Sequence, residues 1–419
     1  MKLYDFQNEA LKATEKYNRC AYFHTMGTGK TFTGGEKLVR LGAYKNLVVC
    51  QKSKIEDWCD HFRENYPTYR VLDLTKKEDF IIFVNSKLFS GNYVQIGVIN
   101  YDLLFRRAEL LNLTDFTLML DESQSIKNEK SKRSKFVLKM KPKNVILLSG
   151  TPVGGKYEEL WSQCKLLGWN ITKNEFWSRY VNWVLFEVAP HVSIPQVTGY
   201  RNIDDLKFNL KLHGAHFLKA EDVLTLPEQM FSEINVPTTK EYRKFIKDNY
   251  VVVDDVEYVG DTALKKLLYC RMLASQGKIN AFKDWIESCN DRLVVFYSFK
   301  CELKALKEAI GKDRPISVVN GDVRDLKAYE NESNSITLVQ YQAGAKGLNL
   351  QKANHMALFS PTLSCDDYMQ CLKRIHRLGQ KKTCFYTSFI SGIDAKIYDK
   401  LKKGEDYTLK LFEVDYESM

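Results

Sequence analysis

Short, unbroken apolar runs recur along the chain in two separate batches, and this limits its fold more than any other feature. The first batch is NLVVC (Asn46 to Cys50), QIGVIN (Gln95 to Asn100), FTLMLD (Phe116 to Asp121) and NVILLSG (Asn144 to Gly150). The second is RLVVFYSF (Arg292 to Phe299), PISVVNG (Pro315 to Gly321), SITLVQY (Ser335 to Tyr341), HMALFSP (His355 to Pro361) and CFYTSFI (Cys384 to Ile390). A run with no polar alternation suits a strand buried on both faces, the strand type of a parallel sheet covered by helices. Helical stretches such as NEALKATEKY and KIEDWCDHF lie between the runs. The pattern is α/β, and ligands bind such sheets at the carboxyl ends of the strands. From about Tyr157 to Asp291 the character changes. Trp161, Trp169, Trp177 and Trp183 stand in a polar stretch that reads as largely helical, and TTKEYRKFIKDNY and ALKKLLYCRMLASQGKINAFKDWIESC follow as helices. This middle part is expected to form helical protrusions and the connection between two sheets.

A chain of 419 residues accommodates two ordinary domains. No apolar run is long enough to span a bilayer, and MKLYDFQNEAL lacks a secretory pattern, so a cytoplasmic protein without membrane contact is expected. The ten cysteines contain no C-x-x-C pair, which argues against a structural zinc site and for reduced thiols. The net charge of +10 fits a polyanionic partner or solubility alone. Its distribution says more. Lys127, Lys130, Lys132, Arg133, Lys135, Lys139, Lys141 and Lys143 crowd the stretch after DESQ, and Lys373, Arg374, Arg377, Lys381 and Lys382 form a second group.

Four groups of residues carry chemistry. Gly27-Thr28-Gly29-Lys30-Thr31 follows a short apolar run and precedes a helix. Glycines let backbone N–H groups approach phosphate oxygens, the helix N-terminus adds a positive dipole end, Lys30 reaches the terminal phosphates and Thr31 ligates Mg2+. The full pattern has a glycine where this chain has His24. Asp121-Glu122-Ser123-Gln124 ends the run FTLML. Asp121 can hold Mg2+ through water, and Glu122 can orient and deprotonate an attacking water. Ser149-Gly150-Thr151-Pro152 ends the next run; alone it is a turn, and in this order it becomes a sensor of the γ-phosphate. Far downstream, Arg374 and Arg377 stand three apart on an expected helix and so share a face. Two guanidinium groups there can grip a phosphoryl group as its charge spreads.

These residues resemble the Swi/Snf-type ATPases of helicase superfamily two, a DNA translocase family that includes chromatin remodellers. Leu3, Tyr4 and Gln7 resemble an adenine-reading glutamine motif, and VVCQKSKIEDW (Val48 to Trp58) a first DNA-contacting motif, with Gln51 where proline is usual. GVINYDLL (Gly97 to Leu104) resembles the next element. DESQSIKN stands for the family's D-E-A-[HQ]-x-I-K-N. LLSGTPVGGKYEELWSQCKLLG (Leu147 to Gly168), FLKAEDVLTLP, AGAKGLNL (Ala343 to Leu350) and QCLKRIHRLGQ complete the set. Two segments depart from the pattern. Ala345 and Lys346 replace a glycine and an acidic residue, and Ser360 to Gln370 lacks the family's aspartate–proline–aromatic–asparagine–proline string.

The resemblance implies two RecA-like parallel-sheet lobes, residues 1–238 and 239–419, binding ATP and Mg2+ between them. It assigns Gln7, Gly27, Thr28, Gly29, Lys30, Thr31 and Gly347 to the nucleotide, Thr31 and Asp121 to the metal, and Lys30, Glu122, Arg374 and Arg377 to catalysis. Its partner is double-stranded DNA, gripped by the backbone in a sequence-tolerant way, with Lys52 and Ser53 in the first lobe and Ser298, Lys300, Asn320 and Gly321 in the second as contacts. A monomeric, minimal core of this kind is expected of a phage or bacterial protein. Two other readings remain: a strand-separating DNA or RNA helicase of a sister branch, and a nucleotide-gated binding module without turnover. DESQSIKN and HRLGQ argue against the first; Lys30, Glu122 and Arg377 argue against the second.

Overall fold

The structure is a computed structural model that describes residues 2–86, 93–150, 156–189, 192–344 and 348–417. It divides into two compact units, Met1–Leu224 and Thr225–Met419, so the units meet ahead of the expected boundary at residue 238.

The strands of the first unit are β1 (Arg19–His24), β2 (Lys45–Cys50), β3 (Arg70–Asp73), β4 (Gln95–Asn100), β5 (Phe116–Asp121), β6 (Asn144–Ser149), β7 (Val181–Ala189), β8 (Val192–Tyr200) and β9 (Ala215–Leu218). Seven of them form one sheet in the order β3-β4-β2-β5-β6-β1-β9, every pairing parallel. The apolar runs are unbroken because both faces are covered. Ala21, Phe23, Leu47, Val49, Leu118, Leu120, Val145 and Leu147 enter one core. Their neighbours Cys20, Tyr22, Val48, Cys50, Met119, Ile146 and Leu148 enter another on the opposite face, as the two-residue period of a strand requires. Helices α1 (Asp5–Ala13), α2 (Lys30–Leu41) and α3 (Ile55–Asn65) are among those that supply the cover.

The second unit contains β10 (Gln229–Asn235), β11 (Tyr250–Val253), β12 (Val256–Val259), β13 (Leu293–Tyr297), β14 (Ile316–Val319), β15 (Arg324–Asp325), β16 (Ile336–Gln340), β17 (His355–Leu358) and β18 (Cys384–Ile390). Its seven-stranded sheet runs β10-β18-β17-β13-β16-β14-β15, parallel except for the short edge strand β15, which is antiparallel to β14. The same alternation holds. Val294, Phe296, Val339, Met356 and Leu358 face one core, and Leu293, Val295, Ile336, Leu338 and Ala357 face the other. Two seven-stranded, almost wholly parallel sheets are therefore present, as the apolar runs imply, and they agree with the RecA-like lobes that the resemblance implies.

The middle of the chain differs from the helical expectation. Helices are there, at Lys173–Tyr180, Ile203–Leu212, Lys240–Asp248, Ala263–Gln276 and Ile279–Glu287. Between the first two, however, β7 and β8 form an antiparallel ribbon that includes Trp183, a residue expected on a helix. Its side chains alternate in direction, yet Trp183, Val184, Leu185, Phe186 and Ile194 are all exposed. β10 belongs to the second sheet through its full-length pairing with β18, although the sequence up to residue 238 was assigned to the first lobe. Among the described residues no helix is long and apolar enough to cross a membrane.

Candidate active site

In the first sheet β1 lies beside β6, and β6 beside β5, with Phe23 level with Ser149 and Leu148 level with Asp121. Parallel pairing therefore brings the carboxyl ends of three sequence-distant strands to one edge. The glycine-rich loop leaves β1, Ser149 ends β6, and Asp121 ends β5.

The loop turns into α2 through Gly27 (φ 91°) and Gly29 (φ 72°), backbone values that side chains beyond Cα disfavour. A Cβ on Gly29 would also lie 2.6 Å from Gln7 Nε2. Gln7 is buried, donates from Nε2 to the carbonyls of Thr28 (3.0 Å) and Gly29 (3.3 Å), and accepts from the Tyr4 N–H at 3.0 Å. Its amide thus holds the loop in shape. Thr28 is sealed inside, its Oγ1 donating to Thr25 O at 2.8 Å. Lys30 and Thr31 open α2 and are half-buried, and Lys30 Nζ donates to His24 O at 2.9 Å.

His24, which replaces the first glycine of the pattern, is fully buried at the end of β1. Its Nε2 is 2.9 Å from Nδ1 of His216 on the adjacent β9. Burial, then His216 and Lys30, push its pKa down to about 3, so the pair is neutral at ordinary pH. The departure from the glycine pattern is accommodated by a contact between strands, and the loop keeps its turn.

At the end of β5, Asp121 Oδ2 accepts from Trp58 Nε1 at 2.9 Å, and its backbone carbonyl accepts from Tyr101 Oη at 2.8 Å. Burial and the neighbouring charge of Glu122 raise the Asp121 carboxyl to about 6. Glu122 follows in the left-handed region (φ 52°), which turns its carboxylate away from the strand direction. Glu122 Oε2 accepts from Gln124 Nε2 at 2.8 Å, and Gln124 Oε1 accepts from Ser149 Oγ at 2.8 Å. One side-chain amide thereby joins the candidate base to the end of β6. Two adjacent carboxylates, one resisting ionisation, beside a half-buried lysine and a glycine cradle, fit a nucleoside triphosphate with Mg2+. Trp58, Tyr101 and Gln124 escaped the sequence reading as site residues. The string DESQ carries the signal for Gln124, since the family has histidine or glutamine there. Thr151 and Pro152 lie outside the described residues.

In the second unit the helix Cys365–Leu372 ends before the arginines, so Arg374 and Arg377 do not share a helix face as expected. They lie in the turns that follow, yet they converge. Arg374 Nη1 and Arg377 Nη1 both donate to Leu348 O, at 3.2 and 3.3 Å, and Arg377 Nη1 also reaches Asn349 Oδ1 at 2.5 Å. Arg374 is nearly sealed, whereas Arg377 is half-buried. Gly347, together with Ala345 and Lys346, falls outside the described residues.

The expected DNA contacts have different surroundings. Lys52 and Ser53 are exposed on the short turn of 3-10 helix Lys52–Lys54 after β2. Ser298, just after β13, is engaged inside its unit: Oγ donates to Pro361 O at 3.1 Å and accepts from Arg271 Nη2 at 3.3 Å. Asn320 Oδ1 accepts from the N–H groups of Asp322 (2.9 Å) and Val323 (2.8 Å), so this side chain shapes the turn after β14. A Cβ on Gly321 would meet open space, and Lys300 is exposed, 3.4 Å from Asp322. The basic stretch after DESQ is partly neutralised, with Lys127 paired to Glu159 at 3.2 Å and Arg133 to Asp102 at 3.0 Å.

Two RecA-like sheets, the first ending in a glycine-rich loop and an acidic pair and the second carrying paired arginines, fit a helicase-like ATPase. The SNF2-related domain family matches residues 8–277, and the helicase conserved C-terminal domain matches residues 277–379. The chain belongs to the SNF2-related family of ATPases. It is similar to the SWI/SNF-related matrix-associated actin-dependent regulator of chromatin subfamily A member 1 of Mus musculus, 23% identical over 85% of this chain and 38% of that protein. The DNA annealing helicase and endonuclease ZRANB3 of Bos taurus is 26% identical over 90% of this chain and 37% of its own length. The putative ATP-dependent helicase/translocase YwqA of Bacillus subtilis is 24% identical over 65% of this chain and 33% of its own. The chain thus spans about two fifths or less of the length of these relatives. Among solved structures, the Sulfolobus solfataricus SWI2/SNF2 ATPase core in complex with dsDNA aligns over 100% of this chain and 93% of that one, with a TM-score of 0.46 and 20% identity.

Proposed function

We propose that this chain is an ATP-driven translocase on double-stranded DNA that remodels protein–DNA complexes or branched DNA. The observation that carries the reading is the shared edge of β1, β6 and β5. There Lys30, the Asp121–Glu122 pair and Ser149 are brought together, and Gln124 bonds Glu122 to Ser149. Lys30 and the loop N–H groups bind the phosphates of ATP. Thr31 and Asp121 would hold Mg2+, which supplies charge neutralisation at the phosphates. Glu122 orients and deprotonates the attacking water. Arg377, with Arg374 behind it, is assigned to the charge that spreads over the transferred phosphoryl group. Gln7 is assigned to adenine, for which one of its three present bonds, two to the loop and one to Tyr4, would be exchanged. The family membership supports DNA as the track, and the exposed Lys52, Ser53, Lys300 and Gly321 are the candidate backbone contacts. Asn320 and Ser298 enter this reading as residues that shape those loops.

The test is ATP hydrolysis measured with duplex DNA, single-stranded DNA, RNA and no nucleic acid, together with displacement of a third strand from a DNA triplex. Duplex DNA is expected to stimulate turnover most, with stimulation falling steeply as salt rises, and the third strand is expected to be displaced. Strict single-strand stimulation with efficient unwinding of a forked duplex would replace this reading with a strand-separating helicase. ATP binding without turnover on any nucleic acid would replace it with a gated binding module.

A further inference from the structure

At the starts of β13 and β17, away from the strand ends that carry Ser298, three metal-ligating side chains converge. Cys289 and Asp291 stand in the short connection between the helix Ile279–Glu287 and β13, and His355 is the first residue of β17. Their donor atoms all lie within 4.8 Å of one another, and His355 Nε2 is 3.7 Å from Asp291 Oδ2. We propose that Cys289, Asp291 and His355 form a site for a divalent transition-metal ion, Zn2+ being the ion that best suits the set.

The scaffold holds each ligand in place. Arg314 reaches in behind the connection and donates to four backbone carbonyls: Ile286 (3.2 Å), Cys289 (2.6 Å), Asp291 (2.6 Å) and Asn334 (2.8 Å). This fixes the backbone of Cys289 and Asp291 while leaving their side chains outside the clamp. The His355 ring is stacked on Phe385, with centroids 4.8 Å apart and planes 14° apart, so its orientation is set before any ligand arrives. His355 and Leu293 are partners in the β13–β17 register, which ties the histidine to the strand that Asp291 precedes. Pre-oriented ligands of this kind raise metal affinity.

The chemistry of the donors selects the ion. A thiolate, an imidazole and a carboxylate suit Zn2+ or Co2+, whereas Mg2+ and Ca2+ take oxygen ligands. Tetrahedral Zn2+ places its nitrogen, oxygen and sulfur donors roughly 3.3–3.6 Å apart, close to the His355–Asp291 separation, so small side-chain movements complete the set. Thiolate and carboxylate together balance the charge of the ion. Three protein ligands leave the fourth position for water. A paired-cysteine spacing is absent because the site draws one ligand from a strand far along the chain. Ion binding here would pin the end of the helix Ile279–Glu287 to two strands of the second sheet and stabilise that unit.

The full chain, freed of metal with a chelator, is titrated with Co2+. About one equivalent is expected to bind with a sulfur-to-cobalt charge-transfer band, to be displaced by Zn2+ and to be unaffected by excess Mg2+. Zn2+ is expected to raise the melting temperature. Cys289→Ser should lose the charge-transfer band, and Asp291→Asn should weaken binding by at least the roughly 10–100-fold that loss of an outer-shell partner costs. Cys301→Ser, at an exposed thiol elsewhere, should change neither. Asp291 is exposed, so its variant keeps the fold if Cys289→Ser does not. Absence of the band in the unaltered chain, its persistence in Cys289→Ser, or unchanged affinity in Asp291→Asn would overturn the site.

Discussion

The two sheets treat the same position, the loops that follow their strands, in opposite ways. In the first unit the ends of β1 and β5 leave Lys30, Thr31, Asp121 and Glu122 half-open. In the second, the loops after β13, β17 and β18 are tied into the interior. The buried carboxylate of Glu302 accepts from the N–H groups of Ser298 (2.7 Å) and Phe299 (2.9 Å) and from Ser360 Oγ (2.9 Å). Arg271 Nη2 donates to Pro361 O at 2.7 Å. Lys278 pairs with Asp394, both fully buried, and also donates to Phe359 O at 2.8 Å. The contrast teaches a division of labour within one repeated architecture. The first sheet presents half-open groups, which the proposed reaction requires to change partners, and the second is a braced frame in the unit that carries Arg374 and Arg377.

The sharpest way to break this comparison is at Arg377. If it serves the reaction, Arg377→Ala lowers the turnover number by roughly 10³-fold or more and changes ATP affinity far less. If its bonds to Leu348 and Asn349 are its whole purpose, the variant melts earlier while turnover at saturating ATP survives. Next in size is Glu122→Gln, expected to lower turnover by about 10²–10⁴-fold with ATP binding and melting temperature preserved. Near-normal hydrolysis by this variant would remove Glu122 from the role of base.

The frame is tested at Lys278. Lys278→Met strands Asp394 as a buried, unpaired carboxylate and is expected to cost roughly 3–5 kcal/mol, read by denaturant unfolding. Nucleotide binding by the first unit should be spared. A stability loss shared equally by both units would dissolve the contrast. The smallest effect concerns Asp121. Its pKa of about 6 lies above the ordinary carboxylate value, so without metal its contribution to stability is present at low pH and lost as pH rises through about 6. Mg2+ requires the ionised form, so Mg2+-dependent nucleotide binding should strengthen over that same rise. Fluorescence titrations in Asp121→Asn should lose this pH dependence; its persistence would move the metal ligand elsewhere.

What could be read from the sequence follows burial. QIGVIN, FTLMLD and CFYTSFI match β4, β5 and β18 residue for residue, because strands covered on both faces need unbroken apolar runs. β10 escaped because much of it is exposed and its pairing with β18 is made by backbone groups that carry no sequence signature. The ribbon β7–β8 was read as helix because tryptophans at wide spacing overshadowed the β-branched and aromatic residues of VNWVLFEVA. At the site, Lys30, Asp121 and Glu122 were legible from local strings. The Gln124 bridge, the Trp58 bond to Asp121 and the His24–His216 contact depend on which strands lie side by side. Arg374 and Arg377 converge through a turn and a shared carbonyl, so helical spacing gave the right pair by the wrong geometry.

The ribbon has a practical consequence. Between Val181 and Tyr200 the only Asp, Glu, Lys or Arg is Glu187, while five large apolar side chains face solvent. Raising the salt strips a basic protein from polyanions by screening, and sulfate or phosphate salts at the same time strengthen contacts between apolar surfaces. The two demands on the solvent therefore oppose each other in this molecule. Sulfate or phosphate salt chosen to release nucleic acid should favour clumping through the ribbon, and chloride with a mild detergent is the condition that meets both demands.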